Sequence, residues 1–108
     1  MKIRYLLKKI TLSDREKDYL EKKIQRFEKY FRSLTESTLQ AEVEAEKDTK
    51  GIWRVELMIK SPYNLYRVSK KGKTFLEAVD LADAALQAQV RKGREKIKER
   101  RRKAERKG

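Results

Sequence analysis

Lys22, Lys23, Arg26 and Lys29 stand close together along one stretch of the chain, and Arg91, Lys92, Arg94, Lys96 and Lys98 crowd another. Cations grouped in this way hold phosphates, through charge and through N–H donors that match phosphate oxygens. Each phosphate neutralised releases counterions, so such a surface binds RNA tightly at low salt and weakly at high salt. Other chemistry lacks the residues to carry it. The 108 residues include no His and no Cys, which excludes disulfides, thiolate or imidazole metal sites, Ser–His and Cys–His nucleophiles and histidine proton shuttles. Glu42, Glu44 and Glu46 are the one cluster that resembles a metal site, but carboxylates at i, i+2 on a strand diverge, and a solvated strand face explains them better. Gly51, Gly72, Gly93 and Gly108 form no phosphate-cradling loop. The expectation is a binding protein with no enzymatic activity, no cofactor, no metal and no small-molecule substrate.

The charge is unevenly placed. Residues 1–32 hold eleven basic and five acidic residues, 33–90 hold eight and nine, and 91–108 hold eleven and three, within a net charge of +13. Excess positive charge at both ends of a nearly neutral middle is the footprint of a polyanion partner. No apolar run approaches the length of a membrane span, and no secretory or transit segment is visible, so a cytoplasmic protein is expected.

The elements that must position these cations follow from hydrophobic period. Ile3, Tyr5 and Leu7 alternate with polar neighbours as a first strand. Ser13 and Glu16 form a capping box, after which Leu20, Ile24, Phe27 and Phe31 recur at spacings of 4, 3 and 4 as the apolar stripe of a helix. Leu39, Ala41, Val43 and Ala45, then Trp53, Val55, Leu57 and Ile59, mark two more strands around the turn at 48–51. Ser61-Pro62-Tyr63-Asn64 turns the chain into a fourth strand over 65–71. Thr74 and Glu77 form a second capping box, and Phe75, Val79, Ala82, Leu86, Val90, Gly93 and Ile97 make the stripe of a second helix. The fold class is therefore α+β, in the order β-α-β-β-β-α, with a four-stranded mixed sheet carrying both helices on one face. One domain spans 1–97, its last helix starting near 74, and 98–108 is a basic extension that either continues the helix or frays.

At about 100° per residue, Arg15, Lys22, Arg26 and Lys29 fall together at roughly 180–240° from the apolar stripe, with Lys23 nearby and the acidic residues on the other flank. Segregation of this kind favours an anion-binding flank over simple solubility. The outer sheet face, with Arg4, Glu42, Glu44, Glu46, Arg54 and Glu56, is mixed in sign and reads as cross-strand pairing. Trp53, Tyr5, Tyr19, Tyr30, Phe27 and Phe31 read as core, which leaves Tyr63 as the aromatic expected to be exposed.

The stretch from Tyr19 to Phe31 resembles the first helix of the ribosome hibernation-promoting factors, also called protein Y or ribosome-associated inhibitor. Ala78-Val79-Asp80-Leu81-Ala82, with Leu86, Gln89, Val90, Arg91 and Lys92, resembles their second helix. The resemblance covers about residues 1–100. It implies a fold related to double-stranded-RNA-binding domains and a site between head and body of the small ribosomal subunit, over the mRNA path and the A and P tRNA sites. Translation would be blocked sterically, through ribosomal RNA contacts from Lys22, Lys23, Arg26 and Lys29 and from Arg91, Lys92, Arg94 and Lys96. Ala85 and Ala88 stand where the family often has Lys or Arg, so part of that contact is expected further along, at Lys98, Arg101 and Arg102 within the run 100–103. The chain is read as a short form without the C-terminal dimerisation domain of long members, monomeric when free. A general structured-RNA binder without a hibernation role is the alternative; a protein-interaction or membrane-surface module is disfavoured by the lack of large apolar residues after Ile97.

Overall fold

Ser13 starts the first helix as its spacing predicts: its Oγ accepts from the Glu16 N–H at 3.1 Å, and Glu16 Oε1 accepts from the Ser13 N–H at 2.9 Å. In the computed structural model, residues 2–31, 39–62 and 64–107 are described, with only the backbone of Tyr30, Phe31 and 94–107. The elements are β1 (Lys2–Lys8), α1 (Asp14–Gln25), a 3₁₀ segment (Arg26–Phe31), β2 (Gln40–Lys47), β3 (Trp53–Lys60), β4 (Leu65–Gly72) and α2 (Phe75–Lys107). The sheet order is β1-β2-β3-β4, with β1 parallel to β2 and the remaining pairs antiparallel. This is the α+β arrangement that the period and element order predict.

Two features differ from a single regular first helix. The chain tightens to 3₁₀ geometry at Arg26, so the stretch read as one helix has two forms. In the other direction, α2 does not fray after Ile97 but continues for 33 residues in all, about 50 Å at 1.5 Å per residue. The side chains of Tyr30, Phe31, Arg94, Lys96, Ile97, Lys98, Arg101 and Arg102, and Tyr63 altogether, lie outside the described residues.

The core lies between the inner sheet face and the two helices. Leu20, Ile24 and Phe27 from the first helical stretch meet Val43, Ala45, Val55, Leu57 and Ile59 from the strands and Val79, Ala82, Leu86 and Val90 from α2. Trp53 is half-buried at the rim, with its ring 5.5 Å from Phe75 in an edge-on arrangement. Tyr5 donates its hydroxyl to Glu21 at 3.4 Å, which ties β1 to α1; burial and the Glu21 charge push this phenol up to about 12. The outer face carries the cross-strand pairs expected there. Arg54 reaches Glu44 at 3.0 Å, Glu46 at 2.6 Å and Glu56 at 3.5 Å, and Lys8 reaches Glu44 at 2.8 Å.

Two contacts fix α2 on β4. The Gln89 side-chain amide brackets Arg67, accepting from its backbone N–H at 3.3 Å and donating to its carbonyl at 3.0 Å. One turn on, a Cβ added to Gly93 would lie 2.6 Å from the Tyr66 hydroxyl oxygen, so only glycine lets the helix approach this closely. Val90 is the last residue of α2 among the buried core residues described. Among the described residues, no helix is long and apolar enough to cross a membrane.

Candidate nucleic-acid interface

The capping box sets the rotation of α1, and burial of Leu20, Ile24 and Phe27 then turns Lys22 to solvent. Where the chain tightens, three residues complete a turn, so residues at i and i+3 eclipse. Arg26 and Lys29, about 60° apart on an ideal α-helix, therefore come into line. Both are exposed, with the Phe27 ring buried beside them. Together with Gln87 of α2, these three residues line a cleft of about 190 Å³ between the helices. Arg91 lies one turn past Gln87 on α2, and both Arg91 and Lys92 are exposed. The structure thus exposes Lys22, Arg26 and Lys29 on one helical stretch and Arg91 and Lys92 on the other, and brings Arg26 and Lys29 to a cleft shared with Gln87.

Lys23 behaves differently from its neighbours. Its ammonium turns to α2, 3.6 Å from Asp80 and 3.8 Å from Asp83, and lies over the Tyr19 ring at 5.3 Å; its side chain is 20% exposed. Tyr19 donates its hydroxyl to Asp80 in the same cluster. Lys23 was grouped with the RNA-contacting flank by its angle on the helix, but its charge is engaged in joining the two helices. Sequence reasoning had no access to these partners, which are about sixty residues away.

Asp83 was not singled out from sequence. It is 5% exposed, accepts from Gln87 Nε2 at 3.2 Å, and its second oxygen, Oδ1, is buried with no hydrogen-bond partner among the described residues. Desolvation pushes its carboxyl above the ordinary range, against the opposing pull of Lys23, Gln87 and Arg26. The signal was present in the sequence as a carboxylate next to the apolar stripe of α2. Because the folded-state value is raised, Asp83 favours folding most fully below its unfolded value, and that contribution is lost as pH rises through the folded one. Glu44 and Glu46 act oppositely: Lys8 holds the first and Arg54 the second below the ordinary range, so their contributions are lost on acidification. The variant Asp83→Asn should therefore lack the increment that the native chain gains just above the ordinary carboxylate value, and should be at least as stable near neutrality. Melting curves across pH test this; native and variant curves that run parallel would rule it out.

A family model described as Sigma 54 modulation protein / S30EA ribosomal protein matches residues 3–98. The chain belongs to this family. S30EA proteins are ribosome-associated, and the match takes in the first helical stretch, the whole sheet and α2 up to residue 98. Among solved structures, the N-terminal domain of Thermus thermophilus Protein Y is similar, at 29% identity over 85% of this chain and 98% of that one, with a TM-score of 0.71. A ribosomal subunit interface protein from Coxiella burnetii shares the fold at 18% identity, over 87% of this chain and 98% of that one, with a TM-score of 0.72. A search of curated proteins found no match. Within the S30EA fold of this chain, Ala85 is partly buried against the core and Ala88 is exposed, one turn before Lys92.

Proposed function

We propose that this chain occupies the decoding cleft of the small ribosomal subunit and blocks mRNA and tRNA there, acting by steric occlusion. The observation that carries the reading is the paired basic surface: Lys22, Arg26 and Lys29 exposed on one helical stretch and Arg91 and Lys92 exposed on α2, with Arg26 and Lys29 lining a cleft shared with Gln87. Two rigid rows of cations on a packed scaffold suit a folded RNA surface with two phosphate backbones, because their separation is set by the core and not by flexible tails. Among the described residues, the titratable groups lining the cleft are the cations Arg26 and Lys29. Membership of the S30EA family and the likeness to the Protein Y domain support a ribosomal partner.

On this reading the contacts are made by Lys22, Arg26, Lys29, Arg91 and Lys92, with Lys23 holding the two helices in register. Co-sedimentation with purified bacterial small subunits across a potassium chloride series, with duplex RNA as competitor, tests it. Saturable binding near one chain per subunit, resistant to competitor and exclusive of initiator tRNA, is the expected result. Binding that duplex RNA abolishes, without defined stoichiometry, would reduce the protein to a general basic RNA binder.

A further inference from the structure

Asp83 has a neighbour that reaches both it and the basic surface. Its Oδ2 accepts from Gln87 Nε2 at 3.2 Å, one turn along α2, while Oδ1 is buried with no hydrogen-bond partner among the described residues. Gln87 also lines the cleft with Arg26, Phe27 and Lys29. An ionised carboxylate can only accept, and of the two ends of an amide only the NH₂ can donate. The charge of Asp83 therefore fixes which way the Gln87 amide points. While Asp83 is ionised, the donor end is turned inward, and the amide oxygen is the end available to the cleft. A carbonyl oxygen there opposes a phosphate, whose oxygens also only accept.

A proton on Asp83 reverses this. On Oδ1 it would be a buried donor without an acceptor, which is costly, whereas on Oδ2 it points at Gln87. The neutral carboxyl then donates to Gln87 Oε1, and the amide turns its NH₂ outward. We propose that Asp83 and Gln87 form a proton-operated switch of the cleft, in which a neutral Asp83 presents the Gln87 NH₂ to a phosphate oxygen held by Arg26 and Lys29. This rests on the small-subunit reading and deepens it by naming what regulates that surface. The proton comes from solvent, and phosphate binding and proton uptake at Asp83 strengthen each other by linkage.

The surroundings let the switch turn without separating the helices. Lys23 of α1 lies 3.8 Å from Asp83 but also 3.6 Å from Asp80, which keeps the ammonium when Asp83 is neutral. Tyr19 donates to Asp80 in the same cluster. Burial, the largest influence, and the Asp80 charge push the Asp83 carboxyl up, while Lys23, Gln87 and Arg26 pull it down. The balance lies above the ordinary carboxylate range, whereas Glu44 and Glu46 are held below it by Lys8 and Arg54. On acidification the switch thus turns before the outer-face pairs break.

The test is binding of the full chain to purified small subunits at fixed potassium chloride, from about pH 7.5 down to about pH 5. Asp83→Asn carries an NH₂ that can donate to Gln87 Oε1, so it mimics the neutral acid. At the upper pH it should bind about tenfold more tightly than the native chain, as one hydrogen bond to a charged oxygen allows, and the two should converge on acidification. Titration of the subunit itself is common to both and cancels in their ratio. Gln87→Met keeps a strong helix former but has no amide. In that background Asp83→Asn should bring no gain; a gain that persists assigns the effect to the Asp83 charge alone and overturns the switch. If the Gln87 variants lose helix by circular dichroism, calorimetry in buffers of different ionisation enthalpy decides. Native binding should take up a proton that Asp83→Asn binding does not, and equal uptake overturns the switch. Saturable native binding with a pH profile parallel to that of Asp83→Asn refutes the switch while the small-subunit reading stands. If the native chain shows no saturable binding at any pH, both fall together.

Discussion

Replacing Lys22, Arg26 and Lys29 together by Glu should weaken binding to small subunits about a hundredfold at moderate salt and flatten the salt dependence by about 2–3. Thermal stability should fall far less than binding: each exposed substitution costs at most ~0.5 kcal/mol, so the three together should lower the melting temperature by about 6–12 °C at most. The three side chains are solvent-facing, whereas the residues that hold their backbone in place, Leu20, Ile24 and Phe27, are untouched. Arg26→Glu adds an acid near Asp83, so the small loss expected should shrink at lower pH, where Asp83 takes up its proton. Equilibrium binding and melting on the same preparation separate the two effects. Native-like affinity in the triple variant would strip this flank of its role, however basic it is.

The opposite outcome is expected one residue away. Phe27→Ala should cost about 3–5 kcal/mol, the usual range for emptying a buried aromatic site. The ring is 1% exposed and sits where the 3₁₀ segment meets the sheet, so its loss leaves a cavity that the short segment cannot close without moving Arg26 and Lys29. Against a total stability of about 5–15 kcal/mol for a domain of this kind, a change of that size takes much or all of the folded state at 37 °C. Urea unfolding should show the midpoint falling at nearly constant slope. A midpoint within experimental error of native would mean that the 3₁₀ segment is held by something other than its aromatic anchor. Adjacent residues on one turn are thus expected to separate two effects, on binding for Arg26 and on stability for Phe27.

Local signals carried most of the architecture. Ser13 with Glu16 marks its helix start by a reciprocal pair of bonds three residues long, and at α2 the half in which Thr74 Oγ1 accepts from the Glu77 N–H is made, at 3.1 Å. Alternation at Ala41, Val43 and Ala45 and at Val55, Leu57 and Ile59 sets both strands and the face that each buries, because side chains repeat every two residues. The tightening at Arg26 was hidden, since an i, i+3, i+4 apolar pattern suits α and 3₁₀ geometry nearly alike and the choice is made by packing. The role of Lys23 was hidden for a different reason. A helical wheel assigns direction but not partners, and Asp80 and Asp83 come within reach only when α2 lies across α1. The helical state of residues 98–107 lacked an apolar signal, because past Ile97 the sequence is almost wholly charged.

The grip of Gln89 on Arg67 also bears on what the molecule avoids becoming. β4 is an outer strand, and the N–H and C=O of an outer strand are an open template on which another chain can add its own. A template works by continuity: an incoming strand needs successive pairs in register, and one pair already taken in mid-strand interrupts the ladder. By filling the Arg67 position from the helix behind, Gln89 acts as a one-residue counterfeit of a neighbouring strand. Arg67, Lys70 and Lys71 then add charge along the same border. Between crowded copies of the chain, this edge lets each stay separate instead of knitting into a shared sheet.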